Sequence, residues 1–300
     1  MTEFVDGSVR VRVPATCANL GPGFDALGLA LGLHDEVRAR VTTGESTVAI
    51  EGEGAESVAR DESHLVLRAM RRTFGVLGDP PEGVALECRN QIPHGRGLGS
   101  SAAAIVAGIL LARGLAVDGP QRLPDGEVLA LAAEFEGHPD NVAPCLLGGL
   151  TIAWIHGTAH AVRRDIDLSV VPVVLIPPFT ASTEVARGLL PEQVPHPDAA
   201  QNAGRAALLV AALTGTPQAL FDATEDLLHQ AYRAPAMPES AELVQALRAE
   251  RLPAVISGAG PTVLVLARGE TEAEAAIAHT PEGWTGRTLP VDPAGAHLLR

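Results

Sequence analysis

Three stretches in the first half of the chain alternate apolar with polar residues at period two: VRVRVP from Val9 to Pro14, DEVRARVT around Val37, and VALECRNQIP from Val84. Successive side chains of a strand point to opposite faces, so this period predicts half-buried antiparallel strands. Between them, Ser63 to Val76 carries apolar residues at helical spacing behind a serine placed to cap it. Ser100 to Val117 is so uniformly apolar that it predicts a helix buried nearly all round. A shorter helix is expected over Gly126 to Glu136, then a loop, GHPDNVAP, and a strand, GGLTIAWI. From Val170 the order changes. VVPVVLIPP predicts a strand, three helices follow over Ala199 to Thr214, Gln218 to Arg233 and Ser240 to Glu250, and VISGAGPTVLVLA reads as strand, turn, strand. The mixture indicates an α+β fold, with a boundary near residue 160 between an amino-terminal lobe (1–160) and a carboxy-terminal lobe (161–300).

Composition narrows the function. With 300 residues, 46% of them hydrophobic and 19% charged, the chain can bury a sizeable core without cross-links. Acidic residues outnumber basic ones 36 to 22, a formal charge of -14, which opposes non-specific affinity for nucleic acid or anionic lipid. Any anionic ligand must therefore meet a local arrangement of donors. The sequence contains no lysine, which excludes a Walker-type P-loop and a Schiff-base nucleophile. Cys17, Cys88 and Cys145 are far apart and form no CxxC, so they are expected as buried small hydrophobes in a reducing compartment. The opening MTEFVDGSVR resembles neither a secretory signal nor a transit peptide, and the longest apolar run, Ala102 to Ala112, is well short of the ~20 residues of a membrane span. A cytoplasmic location is expected, with neither membrane nor nucleic acid as partner.

Three glycine-rich loops carry the chemical signal. HGRGLGSSAAA, from His94 to Ala104, places glycines at 95, 97 and 99 between a strand and the apolar helix. Glycine lets backbone approach an oxyanion, and the helix start offers unpaired N–H donors at the positive end of its dipole, so the loop reads as a phosphate cradle that needs no lysine. The adjacent hydroxyls of Ser100 and Ser101 can reach a phosphate oxygen or magnesium. A second loop, ATCANLGPGFDALGLAL from Ala15 to Leu31, presents Asn19 and Asp25 in an otherwise apolar segment, and ISGAGPTVL is placed to pack under the cradle. AAEFEGHPDNVAP gathers Glu134, Glu136, His138, Asp140 and Asn141, a density suited to metal and substrate work, and a carboxylate with a serine hydroxyl and ATP oxygens is the hard-oxygen environment magnesium prefers.

In this order and spacing, PATCANLGPGFDALGLAL, GRGLGSSAAA, EGHPDNVAP and ISGAGPT resemble the GHMP small-molecule kinases, and ANLGPGFD with HPDN resembles the homoserine kinases among them. The resemblance implies a two-lobed α+β GHMP-kinase-like fold, its amino-terminal lobe like domain 2 of ribosomal protein S5 and its carboxy-terminal lobe ferredoxin-like. It implies transfer of the ATP γ-phosphoryl group to the side-chain hydroxyl of L-homoserine in threonine biosynthesis, with a homodimer as the assembly to test. Another small alcohol, such as threonine or a mevalonate-pathway intermediate, and a non-catalytic nucleotide-binding relative are the alternatives. Carried over by motif, His94, Gly95, Arg96, Gly97, Leu98, Gly99, Ser100 and Ser101 would wrap the triphosphate. Ser100 or Ser101 would hold Mg2+ with Glu136, or with Glu134. Asn19, Asp25, His138, Asp140, Asn141, Thr183, Arg187 and Arg233 would surround the amino acid, the arginines taking its carboxylate bidentately. Asp140 either accepts the hydroxyl proton or binds the ammonium while Asn141 orients the hydroxyl; binding is favoured, since a carboxylate paired to an ammonium is a poorer base. Two positions depart from the family pattern: Cys17 stands where serine is usual, and His64 where an asparagine is common near the adenine.

Overall fold

The computed structural model describes residues 2–299. The first lobe opens with β1 (Ser8–Ala18), β2 (Leu27–Thr42) and β3 (Thr47–Gly52), then α1 (Leu65–Leu77), β4 (Gly83–Asn90) and α2 (Ser100–Leu115). A short turn of helix, α3 (Gly119–Arg122), leads to α4 (Asp125–Glu136), α5 (Pro139–Leu147) and the hairpin β5 (Leu150–His156) and β6 (Thr158–Arg164). The second lobe runs β7 (Val170–Ile176), α6 (Thr183–Gly188), α7 (His196–Gly215), α8 (Leu220–Ala223), α9 (Gln230–Arg233), α10 (Pro238–Ala249), β8 (Ala254–Ile256), β9 (Val263–Arg268), α11 (Gly269–Ala278) and β10 (Thr285–Thr288). The last strand, β11 (His297–Leu299), returns to the first lobe and pairs antiparallel with β1.

The first sheet has the order β11-β1-β2-β4-β3, and long β2 forks it. Its distal residues 36–42 pair with β4, while Leu27 to Leu29 pair with β5. The three strands expected from period two are β1, β2 and β4, all antiparallel to their neighbours except for β3, which lies parallel to β4. The second sheet, β10-β7-β9-β8, is antiparallel throughout. Its apolar runs are continuous because both faces are covered. Val174, Ile176, Leu264 and Leu266 join the main core around α2, whereas Val173, Leu175, Val263 and Val265 join a smaller one with Leu243 and Leu247 of α10 and Ala273 and Ala276 of α11. The first sheet continues through Arg164 and regains β11, so the expected boundary near residue 160 falls inside β6.

Local chemistry moved several element ends. Ser63 does not cap α1; its backbone N–H instead donates to Asp61 Oδ1 (2.8 Å), and His64 occupies the cap position. GHPDNVAP is not a loop. Extended His138 precedes Pro139 at the first helical position, whose fixed φ suits a helix start, and Asp140 in the first turn suits the dipole. The single helix expected over Gln218 to Arg233 is broken because the Asp226 carboxylate accepts the N–H groups of Leu228, His229 and Gln230 and starts α9 afresh. All three cysteines are buried and free. Among the described residues no helix is long and apolar enough to cross a membrane.

Candidate active site

The glycine loop between β4 and α2 turns through left-handed residues Gly95, Gly97 and Gly99, with φ of 65°, 76° and 72°. A Cβ on Gly97 would collide with the Ser257 carbonyl, and one on Gly99 with the Thr16 hydroxyl. The loop is fixed from below. Thr16 N donates to Leu98 O (3.0 Å), Thr262 N to Arg96 O (3.2 Å) and the Ser257 hydroxyl to Gly97 O (2.6 Å). ISGAGPT thus packs under the cradle. Gly99 sits at the cap of α2 with no side-chain hydrogen bond, leaving the first-turn N–H donors open to an anion.

That open end faces a cavity of about 190 Å³ between the lobes. Its wall brings together Asn19, Asp25, Gly95, Gly97, Gly99, Ser100, Ser101, Glu136, His138, Asp140, Asn141, Thr183, Arg187 and Arg233, and adds Gly258 to Gly260. Three residues expected on the triphosphate contribute no side chain to it. Leu98 is fully buried beneath the loop. Arg96 turns away to donate to Pro178 O (3.0 Å) and to approach Glu53 (3.7 Å). His94 lines a second cavity.

At the acidic end of the first cavity, the Ser101 hydroxyl donates to Glu136 Oε2 (2.8 Å). Burial raises the Glu136 pKa, which the Ser101 bond partly opposes. Glu134, two positions earlier on α4, points outward and pairs with Arg72 (3.1 Å), so Glu136 is the glutamate that faces the cavity. Among the described residues no arginine forms an ion pair with Glu136, and a half-buried, half-satisfied carboxylate beside a hydroxyl is a donor set that fits a hard divalent cation. His138 Nδ1 lies 2.7 Å from Oδ1 of buried Asp140, and this bond is the main cause of the raised His138 pKa. The Thr16 hydroxyl donates to Oδ1 of Asn141 (3.0 Å), a residue that lines the cavity.

The basic end is built from both lobes. Arg187 of α6 donates twice to Asp25, Nη1 to Oδ2 (3.1 Å) and Nη2 to Oδ1 (2.8 Å), and Asp25 in turn raises the Arg187 pKa. Asp25 is held by its own N–H on Asn19 Oδ1 (3.0 Å), while Asn19 Nδ2 donates to Gly258 O (2.9 Å). The Phe24 ring underlies both guanidinium groups, 5.7 Å from Arg187 and 5.2 Å from Arg233. Arg233 is only 2% exposed, and burial lowers its pKa. Cys17 lies under the cradle with Sγ 2.8 Å from Ser257 Oγ, its thiol pushed up to about 12 by burial.

Sequence reasoning missed Phe24, Thr16, Ser257 and His229. Phe24 carried a signal, a lone aromatic between glycine and aspartate in GPGFD; His229 carried another, four residues before Arg233 on one helical face. The second cavity, about 230 Å³, lies across Ser100 and Ser101 from the first, and Val13, Val37, Val58, Leu65, Val66 and Cys88 make it largely apolar. His64 also lines it. Its Nδ1 is buried without a partner, and burial lowers its pKa.

Residues 63–149 match the model of the GHMP kinases N terminal domain, and residues 199–284 that of the GHMP kinases C terminal domain. A homoserine kinase of Streptomyces avermitilis is 57% identical over 297 residues, covering 99% of this chain and 97% of that protein. The chain belongs to the homoserine kinases. A homoserine kinase of Streptomyces coelicolor is likewise 57% identical over 297 residues, covering 99% and 96%. The crystal structure of homoserine kinase from Cytophaga hutchinsonii aligns with a TM-score of 0.83 at 26% identity, covering 100% of this chain and 99% of that one. The homoserine kinase fold and the two-lobed α+β arrangement expected from the motifs therefore agree.

Proposed function

We propose that this chain transfers the γ-phosphoryl group of ATP to the side-chain hydroxyl of L-homoserine, giving O-phospho-L-homoserine and ADP, a step of threonine biosynthesis in the cytoplasm. The observation that carries the reading is a single cavity in which an uncapped helix start, built to meet phosphate, faces a set of charges matched to an amino-acid zwitterion.

In this reading the α2 N-terminus and the loop from Gly95 to Ser101 hold the β- and γ-phosphates, and the apolar cavity beyond Ser100 takes the base, with His64 at its edge. Ser101 and Glu136 would hold Mg2+, which neutralises charge developing on the transferred group. Arg187 and Arg233 take the carboxylate of homoserine. Asp25 and Asp140 oppose its ammonium group. The Asn141 amide donates to the substrate hydroxyl oxygen and aims it at the γ-phosphorus. A bond forms between that oxygen and phosphorus as the bond to the bridging oxygen of ADP breaks, and the hydroxyl proton passes to the phosphoryl oxygens. Such a transfer depends on positioning and charge more than on a base. Asp140 is already engaged by His138, which is itself biased toward the cationic form, and in this reading it binds and orients.

A coupled ADP-release assay across L-homoserine, L-threonine and mevalonate tests the assignment. Homoserine should give by far the highest kcat/KM; equal turnover of mevalonate, which has no ammonium group, would overturn it, and so would absence of turnover with all three.

A further inference from the structure

Arg233 is the more enclosed of the two guanidinium groups, and its hydrogen bonds are unevenly distributed. Nη1 donates to Gly258 O (3.4 Å) and lies 3.3 Å from Nδ1 of His229, one helical turn earlier. Nε is buried without a partner, and among the described residues the bonds of the guanidinium are both made by Nη1, none by Nη2. One side of the fork is therefore tied down, and the other side, on a residue lining the cavity, is unspent.

The protonation of His229 follows from its neighbours. Its Nε2 lies 2.9 Å from Gly21 O, which can only accept, so Nε2 carries the proton. Nδ1 faces an arginine N–H, which can only donate, so Nδ1 is the acceptor and the ring is neutral. Burial, which lowers the pKa of His229, favours the same form. The ring is held in plane by stacking on Phe24, with centroids 5.0 Å apart at 27°, and its backbone N–H is anchored by Asp226 (3.2 Å). Phe24 thus supports both the histidine and the guanidinium it orients.

We propose that His229 is a positioning residue for substrate recognition: it pins Nη1 of Arg233 and so fixes the plane of the guanidinium with Nη2 left for a carboxylate in the cavity. A guanidinium N–H held on a fixed line makes a charge-assisted hydrogen bond to a carboxylate oxygen, whereas an arginine free to rotate would offer that donor only part of the time. The inference rests on the reading that the cavity binds an α-amino acid, and it concerns the substrate's carboxylate alone.

Two substitutions divide the bonds of the ring. His229→Asn places an amide oxygen where Nδ1 was and keeps the acceptor for Arg233; His229→Gln keeps a donor toward Gly21 and loses that acceptor. Each is assayed in the full-length protein at saturating ATP with homoserine and with 3-aminopropan-1-ol, which is homoserine without its carboxylate. His229→Gln should raise the KM for homoserine about tenfold, the scale of one weakened charge-assisted hydrogen bond, with the KM for ATP and the turnover of 3-aminopropan-1-ol unchanged. His229→Asn should recover most of the loss. Equal damage to both alcohols, or equal damage by both substitutions, overturns the proposal. If His229→Gln does not fold, His229→Phe keeps the stack on Phe24 without the acceptor and gives the same comparison. Arg233→Leu separates the two levels: if it too fails to distinguish the alcohols, the amino-acid reading of the cavity falls, whereas if it distinguishes them and His229→Gln does not, only the role of His229 falls.

Discussion

The two cavities meet at Ser100 and Ser101 and are otherwise opposites. The apolar one is lined entirely by residues of the first lobe, from Val13 to Ala104, and its walls are set by the packing of one core. The polar one takes Asp25 and Glu136 from the first lobe and Arg187, Arg233 and Gly258 from the second, and the Asp25–Arg187 pair crosses between them. A site for a flat, mostly apolar group can be built inside one lobe. A site that must discriminate charges at both ends of a small molecule is built where two lobes each bring one sign, so its geometry depends on how they are docked.

The largest expected effect breaks the glycine loop on the polar side. Gly97→Val places a branched side chain at φ 76° against the Ser257 carbonyl, so nucleotide binding should be lost in calorimetry and Tm should fall as the two glycine loops separate. Normal nucleotide affinity in folded Gly97→Val would refute the cradle. Next in size, Glu136→Gln should lower kcat by roughly two to three orders of magnitude at saturating magnesium, because a neutral amide leaves charge on the transferred group unbalanced. Glu134→Gln, on the outer face with Arg72, should leave kcat nearly intact, and the reverse pattern would put the metal on the other side of α4.

The contrast between cavities also marks what could be read from sequence. The glycine loop before α2 and the strands β1, β2 and β4 were legible because each rests on local pattern, glycine spacing or period two, whereas the order of strands in the sheets was not. Arg96 and His94 were placed on the phosphate by their position in the loop, yet the turn at Gly95 and Gly97 sends one toward Pro178 and the other into the apolar cavity. The HPDN segment looks like a loop because proline and histidine are weak helix formers in mid-helix, while at a helix start proline costs nothing. Thr16, Phe24 and His229 contact residues 125, 209 and 4 positions away respectively, and pairing of that kind leaves little local trace beyond the lone aromatic of GPGFD and the helical spacing of His229 and Arg233.

A smaller effect sharpens the polar side. His138 has its pKa raised from 6.5 by its bond to Asp140, so the pair contributes stability in full below that ordinary value and loses it as pH rises through the folded value. The Tm difference between the parent and His138→Gln should therefore shrink as pH rises above about 6.5; a difference that grows with pH would mean that His138 is held neutral.

The division of labour itself is tested most directly by crossing two variants with two substrates. Steady-state kinetics on His64→Leu, in the apolar cavity, and Arg187→Leu, in the polar one, should give opposite patterns. His64→Leu should raise the KM for ATP a few-fold and leave that for homoserine unchanged, whereas Arg187→Leu should cost about 10- to 150-fold in kcat/KM for homoserine with the KM for ATP nearly constant. If Arg187→Leu instead raises the KM for ATP, the arginine serves the phosphates and the account of the two cavities is wrong.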